Sequence, residues 1–109
     1  ISGNIINYSA NDTRRIDLIF GIGYRDDIDA ARSVLEAVLA ADARILEEPK
    51  PVIAVVALAD SSVNLVCRPW VASSDYWAVH FSLTEAVKKA FDANGISIPY
   101  PQRDVHLHQ

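Results

Sequence analysis

The sequence has no methionine, one cysteine, four glycines and no run of basic residues, and each scarcity excludes something. With Cys67 alone there is no intrachain disulfide, and a reducing compartment is the natural setting. The longest unbroken apolar stretch, Val52 to Ala59, falls far short of the ~20 residues that cross a bilayer as a helix. Ten basic and fourteen acidic side chains leave a net charge of −4. The two signs are interspersed, so the chain lacks the basic stripe that neutralises nucleic-acid phosphates or lays a helix on a membrane surface. The glycines include Gly21-Ile22-Gly23, but a third glycine and a following tight helix turn are missing. That pair is structural and not a dinucleotide loop. The first residue is Ile1 and no secretory signal is present, so a piece of a larger protein is expected.

What is present is a globular composition. Half of the 109 residues are apolar and 22% are charged, enough for one domain that buries its own core without a disulfide or metal. Ile16, Leu18, Phe20 and Ile22 alternate with Arg15, Asp17, Ile19 and Gly21, which predicts a strand from Arg14 to Tyr24. Asp26 or Asp27 then caps a helix whose apolar stripe is Ile28, Ala31, Leu35, Val38 and Leu39, closed by Pro49 and Pro51. Val52 to Ala59, the turn Asp60-Ser61-Ser62 and the alternating Val63, Leu65 and Cys67 read as a hairpin. Its first strand is expected to be central and its second nearer an edge, because Pro69 cannot donate a ladder hydrogen bond. Ser73-Ser74-Asp75 opens a second helix with Leu83, Val87, Ala90 and Phe91 inward, extended by Tyr76, Val79 or His80. Asn94-Gly95 stops it in a left-handed cap, and Ile96 to Ile98 makes a short last strand. The order is β-α-β-β-α-β: an α+β fold of the ferredoxin-like, split β-α-β kind, an antiparallel sheet with two helices on one face.

The chemistry-bearing residues do not converge. No Ser/His/Asp arrangement on a nucleophile elbow, no H-E-x-x-H and no C-x-x-C pair occurs, so no catalytic residue, cofactor site or enzymatic activity is expected. Asp26, Asp27 and Asp29 are spaced as a helix start and not as a calcium loop. Cys67 lies on the apolar phase of its strand as an inert thiol, and His80 is a packing residue within a helix. His106 and His108 point the same way but lack a third ligand, so no metal is expected.

Three stretches carry the reading further. Phe91-Asp92-Ala93-Asn94-Gly95-Ile96-Ser97-Ile98-Pro99-Tyr100-Pro101-Gln102, Arg14-Arg15-Ile16-Asp17-Leu18 with Gly21-Ile22-Gly23-Tyr24, and Ser62-Val63-Asn64-Leu65-Val66-Cys67-Arg68-Pro69-Trp70-Val71 occur in the order of one family. They resemble the cytoplasmic region of small-conductance mechanosensitive channels. The resemblance implies that residues 1–11 end a β domain, 12–101 form the cytoplasmic α/β domain, and 102–109 are the C-terminal strand of an oligomeric barrel. Asp104, Val105, His106, Leu107 and His108 would then be its interface residues. It also implies a homoheptamer whose hollow cage lies on the cytoplasmic face of the cell membrane, hung from transmembrane helices that this stretch does not include. Ions and small osmolytes would pass through the cage, and the channel would release them under membrane tension in hypoosmotic stress. The cage would serve assembly, solute filtering and gating.

In that setting Ile1, Ile5 and Ile6 belong to a β domain. Without it they are expected to stay unpaired or to join the sheet edge of another copy. Two other classes share the topology. A stand-alone small-molecule-sensing regulatory domain would bind an effector between subunits. An acyl-phosphate hydrolase would need an arginine in a phosphate loop after the first strand, and Arg25 stands near that place. Asp26 and Asp27 directly follow it and would repel the phosphate.

Overall fold

A computed structural model describes residues 12–99. In chain order these form β1 (Thr13–Arg15), β2 (Leu18–Ile22), α1 (Ile28–Ala40), β3 (Val52–Leu58), β4 (Val63–Arg68), β5 (Trp70–Ala72), a 3-10 turn at Ser73–Asp75 and α2 (Tyr76–Ala93). The α+β class is the one that the alternation and the helical stripes predict. All strand pairs are antiparallel, and both helices send their apolar stripes into the same core.

That core has two adjoining halves. In one, Ala31 and Leu35 of α1 and Val87 and Phe91 of α2 close over Ile22, Val63 and Leu65. In the other, Leu39 of α1 and Val79 and Leu83 of α2 close over Ile16, Leu18, Cys67 and Val71. Phe20 packs against both halves and meets Phe91 edge-on at 6.2 Å, a favoured aromatic geometry.

The single long strand expected at Arg14–Tyr24 is two strands. β1 pairs with β5 and β2 pairs with β4, with Ile16 and Asp17 between them. Pro69 separates β4 from β5 on the partner side and has no N–H to give. Its carbonyl instead accepts from the Ile16 amide at 2.8 Å, and this one bond bridges the two ladders.

Strand order corrects a second expectation. The larger sheet runs β2-β4-β3, so β4 is central and β3 lies at the edge. Pro69 reads as an edge signal for β4 in the sequence, but it lies just past the strand and costs the ladder nothing. Position shows in exposure: Val52, Val55, Val56 and Leu58 of β3 are all exposed, whereas Val63, Leu65, Val66 and Cys67 of β4 are buried. The pairing shifts register between Val55 and Ala57, a bulge that bends the edge strand.

Helix ends follow local chemistry. Asp27 caps α1 by accepting from the Asp29 amide at 3.1 Å. At the end of α2, Gly95 has φ +71°. The Gly95 amide donates to Asp92 O and the Ile96 amide to Phe91 O, the paired bonds of a Schellman stop. Ile96 thereby turns back onto Phe91 in the core. The strand expected at Ile96–Ile98 does not form. The segment lies beside the end of β2, where a fourth strand would stand, but its one backbone bond there is Gly23 N–H to Ser97 O.

Candidate functional site

Three features of the surface could do work: the joint where the chain leaves the core, an aromatic face on α2, and a cleft beside β3. The joint is built on Asp26. Its Oδ2 accepts from the Gly23 amide at 3.0 Å, the Ser97 amide at 2.9 Å and the Ser97 hydroxyl at 2.9 Å. One carboxylate oxygen thus ties the residue after β2 to Ser97, 71 residues beyond Asp26 itself. A side chain at Gly23 would stand 2.6 Å from Ser97 Oγ, so glycine is what lets the exit segment come this close. Beside the joint, the Tyr24 hydroxyl donates to Ala59 O. Of the two aspartates expected to cap α1, Asp27 caps the helix and Asp26 holds the joint.

The aromatic face occupies the first two turns of α2. Trp77 and Phe81 are 58% and 64% exposed and lie 5.7 Å apart, ring to ring. Tyr76 packs edge-on against Trp77, and the Arg14 guanidinium sits 3.7 Å over the Tyr76 ring, a contact worth about 0.5–1 kcal/mol where water reaches it. His80 stacks among these rings and its Nδ1 is buried with no hydrogen-bond partner among the described residues. His80 is therefore a packing residue, as its place in the helix predicts. At about 3.6 residues per turn, Ser82 and Ala86, which line the seam with the end of α1, fall on the opposite flank of α2 from Trp77 and Phe81.

The cleft, about 800 Å³, opens between the end of α1, the 42–51 connection and the start of β3. Leu39, Ile45, Leu46 and Ile53 give it apolar walls, and Glu36 and Glu47 stand among its lining residues, neither in an ion pair among the described residues. Asp42, also at the cleft, is bound by Arg44 at 2.8–2.9 Å; the Arg44 guanidinium holds its carboxyl below the usual value.

The remaining chemistry-bearing side chains among the described residues stand apart from one another. Cys67 is 1% exposed, and burial pushes its thiol up to about 11, so it stays protonated. Arg25 is exposed on a loop, apart from any backbone cradle. Among the described residues no group of three or more His, Cys, Asp or Glu could hold a metal, and no helix is long and apolar enough to cross a membrane. Asp104, Val105, His106, Leu107 and His108, like Ile1, Ile5 and Ile6, lie outside the described residues.

The described residues form a small α+β unit with large apolar side chains exposed on α2 and along β3. The family model for the C-terminal region of the mechanosensitive ion channel MscS matches residues 16–98. The whole chain is 51% identical to an uncharacterised MscS family protein of Synechocystis, covering 37% of it. It is likewise 51% identical to a small-conductance mechanosensitive channel of Edwardsiella ictaluri, covering 38%. The crystal structure of Helicobacter pylori MscS in its closed state superposes with a TM-score of 0.81 at 30% identity, over 87% of this chain and 38% of that one. The chain belongs to the MscS family of mechanosensitive channels and corresponds to its C-terminal domain. It spans under two fifths of the length of these relatives. The family resemblance read from the three stretches is therefore correct, and the family is one of channels and not of enzymes.

Proposed function

We propose that this chain is the cytoplasmic cage domain of a channel that opens under membrane tension and releases ions and small solutes in hypoosmotic stress. The observation that carries the reading is the family match across residues 16–98, joined to the structural likeness to a closed MscS channel. Residues 12–101 form the α/β wall, 1–11 lead in from a β domain, and 102–109 extend to a shared floor. Seven copies enclose the solution through which solutes reach the pore. In that floor Val105 and Leu107 share one face of a strand while His106 and His108 share the other. The part held in this chain has no catalytic role; it serves assembly, filtering and gating. The Asp26–Ser97 joint supports the reading, because it fixes the direction in which the chain leaves the wall for the floor.

A chimera tests this. The 109 residues replace the matching stretch of the Edwardsiella ictaluri channel, in cells stripped of their own mechanosensitive channels. Stretch-activated current in membrane patches and survival of osmotic downshock are expected. A chimera that reaches the membrane at normal abundance and gives neither would sink the proposal.

A further inference from the structure

Two surface features with apolar parts stand on opposite flanks of this domain, one an exposed aromatic face and the other a cleft floored by half-buried core side chains, and they differ in kind. One is convex: Trp77 and Phe81 project from the flank of α2 that faces away from α1. The other is concave, the cleft of about 800 Å³ beyond α1 and against β3. They also differ in polarity. The Trp77 indole is a donor with no acceptor function, and it has no hydrogen-bond partner among the described residues. The cleft carries Glu36 and Glu47, which are acceptors only when ionised. A buried tryptophan ordinarily finds a partner for its N–H, and such a carboxylate supplies it.

We propose that the aromatic face of one copy seats in the cleft of the next, with Trp77 and Phe81 against Leu39, Ile45, Leu46 and Ile53 and the indole N–H reaching Glu36 or Glu47. The inference rests on the side-by-side assembly of copies in the proposed cage and names the surfaces that meet. Because the two surfaces are unlike and lie on opposite flanks, no copy satisfies itself and no two-fold pair satisfies both. Such a contact is head-to-tail and propagates until a ring closes. Being 58% and 64% exposed, the two aromatic side chains have roughly three fifths of their ~150–250 Å² each left to bury, about a third of the ~800 Å² per partner of a stable interface. The contact therefore orients neighbours that are also held elsewhere.

Disulfide trapping tests the pairing on the whole 109-residue chain. Thr84→Cys places a thiol beside Phe81 on the exposed side of α2, and Lys50→Cys places one at the cleft; the native Cys67 is buried and stays silent. Under a mild oxidant, at the high chain concentration where weak association is populated, each single variant alone is expected to remain uncrosslinked, and their equimolar mixture to give a mixed dimer. Adding Trp77→Ala and Phe81→Ala to the Thr84→Cys chain, both at exposed positions, is expected to cut that yield at least tenfold with circular dichroism unchanged. Equal trapping after those truncations would overturn the proposal. So would dimers of Thr84→Cys with itself, although copies meeting in that way would leave the cage reading standing. An absence of trapping with both thiols open to a maleimide also overturns it. A Thr84→Cys thiol shielded in a monomer would assign the aromatic face to the chain's own amino-terminal residues, and the pairing would again fall. Failure of the channel reading is told apart by the chimera's current, which does not depend on this contact being the one that forms.

Discussion

Asp26 is the residue on which the direction of the exit segment depends. Its Oδ2 takes three hydrogen bonds, two of them from Ser97, and the remaining backbone tie is the 3.2 Å bond from Gly23 to Ser97. Truncation to alanine leaves the Ser97 amide without its acceptor and the Gly23 amide with only its 3.2 Å bond to Ser97 O. Because water reaches Ser97, we expect Asp26→Ala to cost about 0.5–1.5 kcal/mol, the net worth of an ordinary hydrogen bond. Urea unfolding followed by circular dichroism reads this directly. A midpoint within error of the parent chain would mean that water replaces the carboxylate at no cost and that the joint is incidental. Gly23→Ala should act on the same joint from the other side, since its new methyl would displace Ser97 Oγ from Asp26. Cys67 is the contrary case: its burial leaves the sheet nothing to do with it but pack.

At the scale of elements, the connection after α1 is pinned by the ion pair of Asp42 with Arg44. The pair lowers the Asp42 pKa in the folded chain relative to an unfolded value of about 3.9. A depressed carboxylate contributes stability that is fully present above the unfolded value and is lost as pH falls through the folded one. The Arg44 side chain is 40% exposed, so the contribution is held to at most ~1 kcal/mol by solvent screening. Asp42→Asn should therefore unfold slightly more easily at pH 7, and the difference should vanish in strong acid. A gap that persists at low pH would assign the effect to packing. The elements themselves were legible in the sequence because periodicity reports directly on burial: the stripe Ala31, Leu35, Leu39 and the stop at Gly95 both hold. Strand order was less legible. Pro69 reads alike whether it breaks a strand or follows one, and only pairing tells that β3 is the edge. The expected last strand at Ile96–Ile98 failed because a side chain, Asp26, took the Ser97 amide that a ladder would have used. The cleft was not legible, since α1, the 42–51 connection and β3 each supply part of it and no spacing in the sequence links them. The pair Trp77 and Phe81, four residues apart on a helix, did carry a readable signal, because both fall outside the Leu83–Val87 stripe.

At the scale of the whole molecule, the question is whether this chain assembles by itself. Its described surface offers a convex aromatic face and a concave cleft, and together they make a contact of about a third of the area per partner that holds a stable complex. The edge of β3 adds apolar surface at Val52, Val56 and Leu58, but its bulge at Val56 breaks the flat run that another strand would need for pairing. In the proposed cage a floor strand at Asp104–His108 would add nothing until its neighbours were present, since one strand cannot satisfy its own backbone. Closing the proposed ring of seven would therefore require all of these weak contacts at once, against the translational and rotational freedom that every added copy gives up. In the full channel the membrane segments would hold the copies together beforehand and remove most of that cost, in the way a tether raises effective concentration. We expect the 109-residue chain to sediment as a monomer at micromolar concentration, with reversible self-association only at much higher concentration. Trp77→Ala should weaken that association further. Sedimentation velocity across a concentration series measures both. A stable ring at micromolar concentration would show that the cage closes without its tether, and the contact area assigned to the aromatic face and cleft would then be far too small.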